Sequence, residues 1–144
     1  MKRRNGEKDK FVLDSSAFFA LFEDEDGAET VQNLLEKSQE GDIAVLSSFV
    51  SYTEVFYVTY QEAGEEEALH RIDLMNGLVV TRVDSSQELG LMAGRLKAVY
   101  RISFADAWVA STALILGAIL VHKDPEFEIL EGELEMLRLP YKKR

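Results

Sequence analysis

Four acidic residues occupy positions where solvation alone seldom explains a carboxylate: Asp14, Glu54, Asp106 and Asp124. Asp14 and Asp124 each come after a short apolar run of the kind that forms a buried strand. Asp106 falls in the first turn of a predicted helix that Ser103 caps. Glu54 lies among apolar neighbours on another predicted helix, where a carboxylate needs a cation, a hydrogen-bond donor or water. For Glu54, a solvated helix stripe remains an alternative explanation.

Gathered carboxylates predict a metal site. Acids that cluster without basic neighbours raise one another's pKa and repel, so the cluster is best explained by a hard divalent cation. The chain has no cysteine and only two histidines, neither of which is among these four positions. Oxygen-only ligands suit Mg²⁺ or Mn²⁺. We therefore expect one or two such ions.

The elements around these acids predict an α/β domain with three layers and a central parallel sheet of about five strands. Strands too uniformly apolar for an exposed sheet alternate with helices long enough for crossovers, in the order β-αα-β-αα-β-αα-β-(α)-β. The predicted strands are 11–13, 43–46, 78–83, 118–121 and 135–139. Ligands bind beyond the carboxyl ends of parallel strands, which places Asp14 and Asp124 at one sheet edge.

Length and charge limit the class of protein. The 144 residues predict one domain over 11–140, between basic tails at 1–10 and 141–144, the first of them disordered. No apolar run approaches the roughly 20 residues that cross a bilayer, so a cytoplasmic protein with no membrane partner is expected. The net charge of −10 argues against a nucleic-acid partner unless bound cations neutralise some carboxylates.

Other polar residues have simpler interpretations. Asp84 comes before two serines and a periodic helix, so capping explains it better than catalysis. The acidic stretch 23–27 lacks the calcium-loop spacing and is predicted to be a solvated turn. His70 is predicted to lie on the surface of a helix. For His122, a structural role at a strand end is favoured over contact with a substrate.

Four segments carry a resemblance to a known family: FVLDSSAFFALF, LSSFVSYTEVFYV, ISFADAWVASTALILGAILV and VHKDPEFEIL. Each contains one of the four acids, and their order and flanking apolar patterns resemble the PIN domain, in particular the VapC-like ribonuclease toxins of prokaryotic toxin–antitoxin pairs. The resemblance covers residues 11–139. One departure is that His122 and Lys123 stand where the family often has a small hydroxyl residue.

The resemblance implies specific roles. Asp14 and Asp106 would be the primary ligands of Mg²⁺ or Mn²⁺, Asp124 a direct or water-mediated ligand, and Glu54 the residue that orients or deprotonates the attacking water. Ser16 would be their polar companion. The expected reaction is RNA cleavage to 5′-phosphate and 3′-hydroxyl ends. A homodimer and a cognate antitoxin are also implied.

Three other functions could use acids at the ends of parallel strands or the same fold. A phosphate-accepting receiver domain needs an adjacent acid pair after the first strand, and an Asp-x-Asp phosphatase needs a second acid two residues after the first. Ser15 and Ser16 follow Asp14 here, which argues against both. A catalytically silent PIN-like domain that binds RNA or a partner protein stays open. Saturable Mn²⁺ binding that depends on Asp14 would separate the nuclease from such a binder.

Overall fold

Strands and helices alternate along residues 7–142, the part of the chain that this computed structural model describes. The strands are β1 (Asp9–Leu13), β2 (Ile43–Ser48), β3 (Thr81–Val83), β4 (Ile119–His122) and β5 (Met136–Arg138). The α-helices are α1 (Ser15–Phe22), α2 (Ala28–Gln39), α3 (Phe49–Ala63), α4 (Glu65–Gly77), α5 (Gln87–Val99) and α6 (Phe104–Leu116). A 3-10 helix, Pro125–Leu130, connects β4 to β5.

All five strands are parallel, in the order β3-β2-β1-β4-β5. The chain builds outward from β1 to β2 and β3 on one side, then crosses through α5 and α6 to β4 and β5 on the other. The point where the direction reverses lies between β1 and β4, whose residues Leu13 and Val121 are paired. In open α/β sheets such a reversal opens a crevice at the strand ends. The predicted α/β fold is confirmed.

Alternate residues of the central strands pack on opposite faces of the sheet, which gives the three layers. Val12 belongs to the core formed with α5 and α6, whereas Leu13 belongs to the core formed with the first four helices. Leu120 and Val121 divide in the same way. All four side chains are fully buried. Burial on both faces explains why these strands have no polar alternation.

The turn after α6 directs the chain into β4. Gly117 adopts a left-handed conformation (φ 63°), which favours glycine because it has no Cβ. The N–H groups of Gly117 and Ala118 donate to the carbonyls of Leu114 and Ala113, the pattern of a Schellman motif. The predicted helix end at Gly117 is confirmed.

The observed boundaries differ from the predicted ones by one to three residues at every strand. β3 begins at Thr81, three residues later than predicted, because residues 78–80 form a tight turn in which the Val80 N–H donates to the Leu78 carbonyl. β1 begins at Asp9, inside the segment assigned to the basic N-terminal tail. The rest of that tail, 1–6, and residues 143–144 lie outside the described residues. Within the described part, no helix is long and apolar enough to span a membrane.

Candidate active site

The carboxyl ends of β1 and β4 place two of the predicted acids at the reversal point of the sheet. Asp14 directly follows β1, and its N–H donates to the carbonyl of Val121 in β4, 3.0 Å away. Asp124 lies two residues beyond the end of β4. Adjacent pairing of β1 and β4 is therefore what brings residues 110 positions apart in sequence to one crevice.

Asp14 is held by the start of α1. Its Oδ2 accepts hydrogen bonds from the N–H and the hydroxyl of Ser16, at 3.1 and 2.6 Å. Its Oδ1 is buried and has no hydrogen-bond partner within residues 7–142. Burial, followed by the charges of Glu54 and Asp124, raises the pKa of Asp14 to about 7, although the hydrogen bonds from Ser16 oppose this shift. A buried carboxylate oxygen without a donor is a ready ligand for a cation.

Asp106 is fixed by the first turn of α6. Ser103 is the N-cap, and its hydroxyl accepts the Asp106 N–H at 3.1 Å. The Asp106 side chain is 4% exposed. Its pKa rises to about 9, chiefly through burial and then through the charges of Asp14, Asp124 and Glu126. These influences place Asp106 in the same pocket as the acids at the strand ends.

A fifth acid, Glu126, joins the cluster and was missed in the sequence. Ligand atoms of Asp106, Asp124 and Glu126 lie within 4.8 Å of one another, which is the closest grouping of acids among the described residues that fits one ion. Asp124 caps the 3-10 helix, with its Oδ1 accepting the Glu126 N–H at 3.0 Å. In the sequence, Glu126 resembles an ordinary acid in the first turn of a helix, which the helix dipole already explains.

Glu126 also caps the N-terminus of α6. Its Oε1 accepts the N–H of Ser103, 2.5 Å away, at the start of α6. In a capping box this N–H is bound by the acid three residues after the N-cap, which here is Asp106. Because Glu126 binds it instead, the side chain of Asp106 is left to face the other carboxylates.

Glu54 reaches the cluster from α3. It is half-buried, and its Oε1 accepts a hydrogen bond from the hydroxyl of Ser15. Its charge contributes to the raised pKa of Asp14. Glu54 therefore belongs to the same pocket, and the alternative of a solvated position on the surface of its helix is wrong. The sequence drew attention to Ser16, whereas both serines after Asp14 have partners in the site: Ser16 binds Asp14 and Ser15 binds Glu54.

Lys123 connects the site to the turn between α1 and α2. Its N–H donates to the Ser16 hydroxyl at 2.8 Å, and its buried Nζ donates to the Asp26 carbonyl at 2.8 Å. The same Nζ lies 3.4 Å from Glu25, which also pairs with Lys142 at 3.0 Å. The acidic turn, predicted to be merely solvated, is therefore tied by two lysines to the segments beside the acids.

The remaining sequence candidates lie outside the cluster. His122 is buried, its Nδ1 accepts the Asp124 N–H at 3.1 Å, and burial lowers its pKa. This is the strand-end structural role that was favoured. His70 is exposed on α4. Asp84 is exposed and pairs with Arg82 at 2.9 Å, while the N-cap of α5 is Ser86.

The donor set fits a hard divalent cation. All five acids offer carboxylate oxygens, and no lysine, arginine or histidine within residues 7–142 forms an ion pair with any of them. Burial, and after it repulsion from the neighbouring carboxylates, raises the pKa of Asp14 to about 7 and that of Asp106 to about 9. A bound cation would remove that repulsion.

Comparison with known families identifies the family of this chain. The family model for the PIN domain matches residues 11–133, which include all five acids. The chain belongs to the PIN domain family. A search of curated proteins found no significant match.

Solved structures similar to this PIN domain share its fold at low sequence identity. VapBC2 of Rickettsia felis, bound to a DNA fragment from its promoter, matches with 17% identity and a TM-score of 0.73 over 91% of this chain and 99% of that one. VapBC-1 of nontypeable Haemophilus influenzae matches with 22% identity and a TM-score of 0.68, over 90% of this chain and 97% of that one. VapC20 of Mycobacterium tuberculosis, a toxin that cleaves the sarcin-ricin loop, matches with 18% identity and a TM-score of 0.66, over 83% of this chain and 93% of that one.

Proposed function

We propose that this PIN domain is a divalent-metal-dependent endoribonuclease and the toxin of a toxin–antitoxin pair. The observation that carries the proposal is the cluster of five acids at the reversal point of the sheet, with no cationic side chain of the described chain to neutralise it. A protein with this site binds metal, and a phosphodiester is the substrate that carboxylate-held ions serve most directly. The similarity to VapBC structures supports the toxin assignment.

Each acid has a proposed task. Asp14, Asp106, Asp124 and Glu126 hold the ion, and Ser16 keeps the Asp14 carboxylate oriented through its two donated hydrogen bonds. A bound Mg²⁺ or Mn²⁺ would polarise the scissile phosphate, acidify the attacking water and stabilise the leaving 3′ oxygen.

Glu54 is proposed as the base for the attacking water. It is the only one of the five on α3, and it is not among the three acids whose ligand atoms lie within 4.8 Å of one another. The Ser15 hydroxyl holds one of its oxygens, which leaves the other to accept a proton from water. The products would carry 5′-phosphate and 3′-hydroxyl ends.

The proposal is tested by cleavage of RNA with defined ends. Purified protein should cut RNA in Mg²⁺ or Mn²⁺ and stop in excess EDTA, with 5′-phosphates on the products that a 5′-phosphate-dependent exonuclease can digest. Co-purification with the product of the adjacent gene should inhibit cleavage if that product is an antitoxin, and light scattering of the free protein tests the proposed homodimer. RNA that is bound in metal but never cut would instead indicate a catalytically silent binding domain.

The metal role proposed for Glu126 has its own test. We expect Glu126→Gln to weaken Mn²⁺ binding about tenfold, because a neutral amide replaces a charged ligand. The amide oxygen can still accept the Ser103 N–H, so the start of α6 is retained. Isothermal titration of both proteins measures the change, and Glu131→Gln, at an exposed position five residues on, is the matched control. Equal Mn²⁺ affinity in the Glu126 variant and the wild type would remove this residue from the ligand set.

A further inference from the structure

One exposed aromatic ring stands beside the carboxylates. Phe104 is the first residue of α6 and is 69% exposed. The residue before it, Ser103, donates its N–H to Glu126, whose ligand atom lies within 4.8 Å of those of Asp106 and Asp124. Phe104 is thus one residue from a group in hydrogen-bond contact with the acid cluster. An exposed ring in this position offers its free face to a ligand bound at the polar site.

The Phe104 ring rests on a fixed aromatic support. It meets the ring of Trp108, one helical turn later, at a centroid distance of 6.5 Å and an angle of 61°. Trp108 in turn packs edge-on against Phe49 at 5.2 Å. Gly90 on α5 leaves room for the indole, because a Cβ there would lie 3.2 Å from a Trp108 ring carbon. These contacts hold the ring while most of its surface stays open.

An unpaired cation lies on the same segment. Arg101 is exposed, three residues before Phe104, and no carboxylate among residues 7–142 pairs with it. Arg101 lies two residues before Ser103, whose N–H donates to Glu126 of the acid cluster. Guanidinium groups bind phosphates through paired donors, and exposed aromatic rings stack on unpaired bases.

We propose that residues 101–104 contact single-stranded RNA next to the scissile phosphate, with Phe104 stacking on a base and Arg101 binding a backbone phosphate. This rests on the proposed nuclease function and specifies its substrate. Bases inside a duplex are stacked on one another and offer no free face, so the segment favours unpaired RNA. Stacking is tolerant of base identity, so it selects strand state more than sequence.

The test compares single-turnover cleavage of an unpaired RNA oligonucleotide by the wild type and by variants. Phe104→Ala should raise the half-saturating protein concentration about tenfold with the maximal rate within about twofold, and Phe104→Trp should restore it. Arg101→Gln should weaken binding and make the logarithmic salt dependence shallower by about 0.7. Leu69→Ala, at an exposed apolar position on α4 with 51% exposure, is the control, and Mn²⁺ affinity should match in all variants.

Two results would overturn the proposal. One is a half-saturating concentration unchanged in Phe104→Ala. The other is a Phe104→Ala protein that changes from dimer to monomer in light scattering, since the ring would then pack against a second copy of this chain. Should the wild type cut no RNA at all, the nuclease assignment fails by itself. Fluorescence anisotropy of the same oligonucleotide then decides the stacking role, which stands only if Phe104→Ala weakens binding.

Discussion

Asp14→Asn and Asp106→Asn will each reduce Mg²⁺-dependent cleavage by about 1000-fold or more, because each removes a charged ligand from a site whose chemistry depends on the ion. Both variants will remain folded. Asn is as good an N-cap as Asp, so the start of α1 survives at position 14. Without metal, the free energy of unfolding should rise by about 1 kcal/mol or more at pH 8. At this pH the buried carboxyl of Asp14 is charged, and that of Asp106 must hold a proton that the unfolded chain has lost.

Initial cleavage rates and urea unfolding measure the two effects. Asp84→Asn is the matched control, since Asp84 also follows a strand but is exposed and pairs only with Arg82. It should change neither rate nor stability appreciably. Full turnover in both site variants would exclude the proposed mechanism, whatever the behaviour of the control.

Raising the pH from 5 to 9 will destabilise the metal-free protein, and Mg²⁺ will reverse the effect. The pKa of Asp14 is about 7 in the folded protein against 3.8 for a free carboxyl, and that of Asp106 is about 9. Between these limits the folded protein keeps protons that the unfolded chain has already lost, so stability falls as pH rises. Each pH unit over which a folded carboxyl keeps a proton that the unfolded one has lost removes about 1.4 kcal/mol, so the loss across this range should amount to several kcal/mol. Magnesium binds the deprotonated acids and so should stabilise the protein most at high pH.

Urea unfolding at pH 5, 7 and 9, in EDTA and in Mg²⁺, tests this prediction. Asp14→Asn should make the decline between pH 5 and 7 less steep, because Asp106 alone then contributes to it. The decline should also end at a lower pH, since the charge of Asp14 no longer raises the pKa of Asp106. A stability that is constant or increases from pH 5 to 9 in EDTA would contradict the raised pKa values.

Much of the fold was readable from local patterns. Ser103 before a periodic helix and Gly117 after it marked both ends of α6, because capping and left-handed turns depend on a few adjacent residues. The uniformly apolar strands predicted a parallel sheet, because strands covered by helices on both faces have no exposed polar positions. The edge strand β3 was less accurate, since the apolar residues at 78–80 fit a strand equally well, and only the turn at Leu78 excludes them.

The site was less fully predictable, because its contacts join distant parts of the chain. Asp14 and Asp124 could be assigned to one sheet edge, but nothing local specified that β4 pairs with β1. Glu126 looked like an ordinary helix-start acid until its contact with Ser103 was seen. The contacts of Ser15 and Lys123 could not be predicted, since a serine after a strand and a lysine before an acid are common. Their partners, Glu54 and Asp26, are visible only in three dimensions.

The attachment of Lys123 bears on how an ion enters. One end of this residue is bound to Ser16, which holds Asp14, and the other is bound to the turn at Asp26. The segment that carries Asp124 is thereby immobilised before any ligand arrives. The proposed coordination sphere would be preorganised, so the entropy of assembling it would be lost during folding and not during metal binding. Metal binding by this protein is therefore expected to be rapid and to require no ordering transition of the surrounding loops.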